Sequence, residues 1–325
     1  MQIGMLISSA AVIRPTWTTA HLAHAALLAG HTIRFIEPHD MEVTTHGRLV
    51  TRAHVLEHPL ASPTEVAQQL SGLHLTRRFI EIATLDLLFM RANPLTPAVL
   101  NLALMAQEWG VRVVNDPMGI ARTRSKTWLA ALQDVPRPRT LITSDGASAS
   151  LFAEGQENGV VVKPAMGSGG RGVRRVSDPS KVARAVAEVM RVQPGPTVVQ
   201  GYLPEADEGE KRIFWVDGHI VGGYLRKRAP GAFHHNLQRG GQPEATEISE
   251  SDKKICDAIA PHLHRSGISI AGLDIIGSAL VECNTLNPGG VHYAESFRAS
   301  GDKTIASWTI QILTNPSNTE KVKPA

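Results

Sequence analysis

The chain has 325 residues, of which 42% are hydrophobic and 19% charged. Its 33 Lys and Arg against 30 Asp and Glu leave a formal charge of only +3. That length supports two or three domains with real cores, and that charge is too small to argue for a nucleic-acid or membrane-surface partner.

Residues 2–8 form an apolar, strand-like run. The N-terminal stretch through Trp17 has no basic leader and Arg14 interrupts its apolar run early, so no signal peptide is expected. Residues 18–29 place His21, Leu22, Ala25 and Leu28 at helical spacing and stop at Gly30. Residues 32–37 alternate as a strand. This strand–helix–strand opening predicts an α/β layer with a parallel sheet. Residues 41–51 read as a hairpin turning at His46-Gly47, and 86–90 as a buried strand. After the Pro94/Pro97 break a helix runs to about Glu108, followed by a short strand at 111–114. The ligand crevice of such a domain lies at the strand C-termini, where 8–19 and 91–96 fall.

Residues 118–132 read as one helix with Lys126 inside it, ending before the linker-like stretch with Pro136 and Pro138. Strands at 139–143 and 159–164 flank a helix at 147–157, and 178–192 is an amphipathic helix. The chain is then β-rich from 197 to 224, and polar with glycines from 227 to 242. A helix follows at 250–265. Residues 268–284 form two strands around a tight Gly277-Ser278-Ala279 turn. The polar tail 315–325 is expected to fray. No run of about 18 apolar residues suggests a membrane span. The cysteines, Cys256 and Cys283, fit a reducing compartment, so a cytoplasmic protein is expected. Trp17, Trp109 and Trp128 are expected in cores or at an interface, and His234-His235 in an exposed loop.

Two segments carry chemistry. Residues 167–172 read Gly-Ser-Gly-Gly-Arg-Gly, matching the dinucleotide fingerprint GxGxxG. That fingerprint needs a following helix, but 173–176 is strand-like. The segment therefore reads as strand, glycine loop, strand. Gly167, Gly169 and Gly170 let the backbone approach phosphates closely, although a plain hairpin turn is the simpler alternative. Lys163 ends the preceding apolar strand, beside this loop. The second segment is the strand pair, with Asp274 in one strand and Glu282 and Asn284 in the other. Carboxylates buried alone are costly, so they pair with a cation or a metal. With a three-residue turn, Asp274 faces Glu282 on one side of the sheet. Three such oxygen donors suit Mg²⁺; ion pairing with nearby Arg or Lys is the alternative. Lys211-Arg212, Arg226 and Arg228 could gather on a phosphoryl group. There is no GxSxG, HExxH or Walker A sequence.

In this order the pieces resemble the ATP-grasp superfamily, and within it the bacterial glutathione synthetase family. The likeness runs through Ile3-Gly4-Met5, Met90-Arg91, Asn115-Asp116-Pro117, Lys126, Val162-Lys163-Pro164 and the glycine loop. It continues through Gln200-Gly201-Tyr202-Leu203-Pro204, Gly209-Glu210-Lys211-Arg212, Val216-Asp217-Gly218, Arg226, Asn236-Leu237 and Gly240-Gly241. It closes on Gly272-Leu273-Asp274-Ile275-Ile276-Gly277 and Glu282-x-Asn284.

The resemblance implies an ATP-grasp fold of mixed α/β and α+β character. Its parts would be an N-terminal α/β domain (1–118), a central lid (119–200), a C-terminal subdomain with the metal hairpin (201–315), and a tail (316–325). Lys126 and Lys163 would contact phosphates, Gln200, Gly201, Tyr202 and Leu203 would line the adenine slot, and Glu208 would meet the ribose. Asp274, Glu282 and Asn284 would hold Mg²⁺ or Mn²⁺. Arg212 would steady an acyl phosphate, and Arg226 and Asn236 would belong to a mobile substrate loop. The implied reaction joins γ-glutamylcysteine and glycine through an acyl phosphate, with ATP as co-substrate. The partners are small molecules, with no nucleic acid or membrane, and assembly as a homo-oligomer.

Three segments depart from the family pattern. Ala92-Asn93-Pro94-Leu95 replaces an acidic residue before prolines. His234 stands where a further arginine is usual. Asn287-Pro288, followed by Gly289-Gly290-Val291-His292, replaces a Ser-Pro pair. These departures leave a sister ligase with another acid or amine as the alternative. A nucleotide-binding regulator that no longer ligates is the alternative from another class.

Overall fold

A computed structural model describes residues 1–72, 77–167, 169–229 and 235–315. Ser168, His234 and the tail 316–325 lie outside the described residues. Among the described residues the strands make three sheets. The first contains β1 (Gln2–Leu6), β2 (Thr32–Ile36), β3 (Glu42–Val43), β4 (Leu49–Leu56), β5 (Arg77–Glu81), β6 (Leu87–Met90) and β7 (Arg112–Val114). Its order is β3-β4-β2-β1-β6-β7, with β5 also paired to β4. The expected parallel pairing holds for β1 with β2 and β6, and for β6 with β7. The hairpin expected at 41–51 joins the same sheet as an antiparallel edge, because β4 runs on and pairs with β2.

Helices α1 (Thr18–Leu28) and α2 (Pro63–Ser71) cover one face of this sheet, and α3 (Pro97–Glu108) covers the other. The helix expected at 118–132 is two helices, α4 (Pro117–Thr123) and α5 (Lys126–Ala131). Asp116 caps the first, and Ser125 caps the second by accepting from the Thr127 amide. The break is a second N-cap, which puts Lys126 at the first position of a helix instead of inside one.

The second sheet holds β8 (Thr140–Thr143), β9 (Val160–Pro164), β10 (Arg174–Val176) and β11 (Thr197–Gly201), in the order β10-β9-β11-β8. Helices α6 (Gly146–Glu154) and α7 (Val182–Val192) cover it, and residues such as Ala149, Val162, Val186 and Val199 give it a core of its own. The third sheet is antiparallel, in the order β14-β13-β12-β15-β16, built from β12 (Glu210–Val216), β13 (His219–Lys227), β14 (Gln242–Glu244), β15 (Ile270–Ile276) and β16 (Ala279–Asn284). Helix α8 (Glu250–Arg265) packs Ile255, Cys256 and Ile259 with Ile213, Trp215 and Leu273. Helices α9 (Val291–Glu295) and α10 (Ile305–Thr314) close the other side. Both large cores run from the first sheet into the third, whereas the second sheet keeps a separate one. Trp109 and Trp128 pack as expected against a core. Trp17 does not; it is 40% exposed, at the cleft described below.

Asn115, after β7, joins the first sheet to the third. Its Nδ2 donates to the carbonyls of Ile270 and Thr285 at 2.7 Å, and its Oδ1 accepts the amides of Ser269 and Ile270 at 2.8 Å. The side chain is buried, and each of those backbone groups would lose a partner with it. Asn115→Ala should therefore cost about 2–4 kcal/mol of stability in denaturant unfolding. A loss under about 0.5 kcal/mol, as for an ordinary surface change, would contradict this role.

Candidate active site

The three sheets enclose a cleft of about 740 Å³. Its floor is one row of directly opposed residues, Tyr224, Arg212, Asp274 and Glu282, on β13, β12, β15 and β16. Opposed residues on neighbouring strands project to the same face, so this row points together into the cleft.

The β15–β16 turn is tighter than expected. Ile276 pairs with Ala279, leaving Gly277 and Ser278 as a two-residue turn, with Gly277 at φ 57°. A two-residue turn alone would shift the register, but Val281 is bulged out between Leu280 and Glu282, which restores Asp274 opposite Glu282. The bulge also serves the site: Lys163 Nζ donates to the Val281 carbonyl at 3.4 Å.

Asp274 is the hub. Arg212 grips it with two hydrogen bonds, Nε to Oδ1 at 2.5 Å and Nη2 to Oδ2 at 2.9 Å. Arg226 also donates to Oδ1, and Asn284 Nδ2 donates to Oδ2 at 3.0 Å. Burial alone would raise its carboxyl, but the two guanidiniums hold it down to about 2. Reciprocally, Asp274 lifts Arg212 and Arg226 above their usual range against the opposing effect of burial. The ion-pair alternative thus describes Asp274 as the structure stands. Arg226 reaches on to Glu210 Oε1 at 2.5 Å. Burial raises Glu210 to about 7, opposed by Arg226 and reinforced by Asp274 and Glu282.

Above the floor, Lys163 donates to Gln200 Oε1 at 2.9 Å, and burial lowers its ammonium to about 8. Lys126 Nζ donates to the Gly167 carbonyl at 2.9 Å and lies 3.4 Å from Glu282 Oε1, so it ties the glycine loop to the floor. Lys126 and Gly167 open onto an adjoining cavity of about 220 Å³, whose wall shares Glu282 and Asn284 with the main cleft. The loop is bounded by β9 and β10, paired antiparallel, so no helix follows it and the dinucleotide fingerprint is not met. Gly167, Gly169, Gly170 and Gly172 all have positive φ, from 68° to 115°, which side chains resist. Gly169 approaches Asn236, and both line the cleft. Gln200, Gly201, Tyr202 and Leu203 form another wall, with the Arg175 guanidinium 3.7 Å from the Tyr202 ring centre.

Several expectations need correction. Lys211 does not join Arg212: strand alternation turns it to the opposite face, where it meets Asp252 at 2.5 Å. Arg228 stays at the rim, paired with Asp207 at 2.7 Å. His235 is not exposed; it is buried and bonds to the Ala206 carbonyl at 2.7 Å. Glu208 is exposed and lines neither cavity. Two residues with no role assigned from the sequence also line the cleft, Glu210 and Arg91. Glu210 was readable by alternation, two positions before Arg212; Arg91 was readable only as the end of a buried strand.

Comparison with known proteins places this architecture. Residues 1–121 match the model of the prokaryotic glutathione synthetase N-terminal domain, and 126–298 match that of the prokaryotic glutathione synthetase ATP-grasp domain. The chain belongs to the prokaryotic glutathione synthetase family. It is 32% identical to the glutathione synthetase of Synechococcus elongatus, over 97% of this chain and 99% of that protein. It is 34% identical to that of Parasynechococcus marenigrum, over 91% and 93%. Among solved structures, D-cycloserine synthetase DcsG superposes with a TM-score of 0.66 at 16% identity, over 99% of this chain and 100% of that one. The ATP-grasp ligase PsnB with precursor, Mg and ADP gives 0.60 at 17%, covering 98% of each. The fold is therefore ATP-grasp. As a family member the chain is an ATP-dependent ligase of small molecules, forming a C–N bond with a divalent metal ion. No helix among the described residues is long and apolar enough to cross a membrane.

Because Lys163 sits at about 8 in the free protein, a bound phosphate favours its charged form. ATP affinity, measured by calorimetry without the acid substrate, should be level below pH 8. Above it, affinity should fall by up to about tenfold per pH unit. Lys163→Met should flatten the profile; an unchanged alkaline fall in that variant would contradict the assignment.

Proposed function

We propose that the enzyme joins γ-glutamylcysteine to glycine, giving glutathione, ADP and phosphate. The observation that supports this most is the likeness to glutathione synthetases along nearly the whole chain. The floor of the cleft suits the chemistry. The substrate carboxylate attacks the γ-phosphorus of ATP; a new O–P bond forms and the bond to ADP breaks. The glycine amine then attacks the acyl carbon, a C–N bond forms, phosphate leaves, and the amine gives up a proton. Positioning and charge stabilisation carry both steps.

Lys163 and Lys126 hold the phosphates, helped by the backbone of Gly167, Gly169 and Gly170. Gln200, Gly201, Tyr202 and Leu203 take the adenine. Arg212, oriented by Asp274, faces the acyl phosphate with Arg226, and Asn236 closes on the substrate. Asp274, Glu282 and Asn284 are the metal ligands, an all-oxygen set that fits Mg²⁺, with Mn²⁺ as a substitute. Glu282 and Asn284 are its more open members, since Asp274 already carries two arginines. When bound, the ion neutralises and orients the transferring phosphates. We assign 1–118, 119–200 and 201–315 as the three functional parts, in a cytoplasmic enzyme whose cysteines stay free.

The segment 287–292, which departs from the family pattern, leaves a sister ligase with another acid or amine as the second reading. In the departing segment, Gly290 has φ 104°, and a Cβ there would meet the Tyr224 hydroxyl at 2.5 Å, so this wall is tightly shaped. The test is direct. Purified enzyme with ATP, Mg²⁺, γ-glutamylcysteine and glycine should release ADP and glutathione, and a panel of other acids and amines should be poorer. A clear preference for another pair would move the enzyme to a sister ligase. Nucleotide binding without turnover on any pair would make it a regulator.

Two variants check the roles. Glu282→Gln should cut turnover by at least about 100-fold while unfolding stays normal. Arg212→Lys keeps a charge beside Asp274 but loses the two-pronged grip. It should lower kcat by about 10- to 100-fold and leave the KM for ATP within about threefold. A matching loss of ATP affinity would instead make Arg212 a ground-state phosphate ligand.

A further inference from the structure

Trp17 is 40% exposed on the cleft wall, and Val12, in the same loop, is 50% exposed. The ring belongs to none of the three cores, and among the described residues no aromatic ring stacks on it. Trp17 is also the N-cap of α1, where its side chain makes no capping hydrogen bond. Ser62, Thr96, Asp145, Ser249 and Thr304 fill that position on α2, α3, α6, α8 and α10, and each accepts a backbone amide there. A side chain that neither packs in a core nor caps its helix breaks a local rule, and such breaks are expected at functional sites.

The charges around it narrow the ligand. The cleft wall drawn from residues 7–19 and 91–93 carries two cations, Arg14 and Arg91, and no acid among its lining residues. The carboxylates that line the cleft, Glu210, Asp274 and Glu282, all stand on β12, β15 and β16 of the floor. With the nucleotide against Lys163 and Gln200 and the reacting carboxylate at Arg212, the far end of the acid substrate runs to this wall. An ammonium group there finds no carboxylate. An indole face, however, attracts a cation through its quadrupole. The chain itself uses that attraction: Trp308, also 40% exposed, has Lys303 Nζ 4.2 Å from its ring centre. Among the described residues no cation of the chain covers Trp17 in this way.

We propose that Trp17 is a specificity-determining residue for the acid substrate, its indole face receiving an ammonium group at the end remote from the reacting carboxylate. This rests on the ligase reading above. The enzyme then prefers acids that carry such a group over the same acids without it. In γ-glutamylcysteine the group is the α-ammonium of the glutamyl residue. The dipeptide glutarylcysteine lacks that group and is otherwise the same.

The test compares wild type, Trp17→Leu and Trp17→Phe on both dipeptides. In wild type the KM for glutarylcysteine should be about tenfold above that for γ-glutamylcysteine. Trp17→Leu should raise the KM for γ-glutamylcysteine by about tenfold. It should leave the KM for glutarylcysteine, the KM for ATP and kcat within about threefold. Trp17→Phe, whose ring holds a cation less strongly, should keep part of the preference. Equal KM values in wild type, an equal rise on both dipeptides in Trp17→Leu, or no rise on either, would overturn the proposal. Tryptophan fluorescence of the enzyme alone reads binding without turnover. L-Glutamate should change the emission of wild type but not of Trp17→Phe, and glutarate, which lacks the ammonium, should change neither. If wild type turns over neither dipeptide, the glutathione reading fails and the fluorescence comparison alone decides Trp17. A Trp17-dependent response to glutamate over glutarate then upholds the proposal, and the same response to both, or to neither, overturns it.

Discussion

A carboxylate buried between two buried guanidiniums organises this molecule. Asp274 cannot be taken from water without partners, and Arg212 and Arg226 cannot be buried without an acid. Each makes the others tolerable, and the geometry is strict because the Arg212 pair is two-pronged. The opposed register of β12 and β15 places Arg212 on Asp274, and the bulge at Val281 places Glu282 on its other side. The sheet is thus a ruler that sets cation, acid and metal donor in one line.

The second constraint is the separation of cores. The first and third sheets share two continuous apolar cores and are pinned by Asn115, so the floor and the substrate wall form one body. The second sheet, with Lys163 and the glycine loop, has its own core. A unit with a separate core can shift as a whole at little cost to packing, whereas the floor cannot. The contacts across the gap are polar: Lys126 to Glu282 and Lys163 to the Val281 carbonyl. Phosphates entering there would meet the same cations that now bridge the two bodies.

Much of this was legible in the sequence because the physics is local. An acid in each of two apolar strands demanded a cation, and strand alternation put Glu282 and Asn284 on one face. The glycine loop between strands could be told from a dinucleotide fingerprint by the missing helix. What was hidden depends on register and tertiary packing. The bulge at Val281 is invisible in composition, so the right partner for Asp274 followed from the wrong turn length. Lys211 looked equivalent to Arg212 until alternation was anchored to a core. His235 is polar, yet its ring is buried and bonded to the Ala206 carbonyl. Ser125 starts a second helix within a run that keeps helical periodicity across the break.

The central claim is that the Asp274 row activates a substrate carboxylate as an acyl phosphate. The most direct measurement uses γ-glutamylcysteine carrying ¹⁸O in its cysteinyl carboxylate, with ATP and glycine, and analyses the released phosphate by mass spectrometry. The account predicts one ¹⁸O atom in the phosphate for each peptide bond formed. Glutathione formed together with unlabelled phosphate, the displaced ¹⁸O appearing in water, would contradict it.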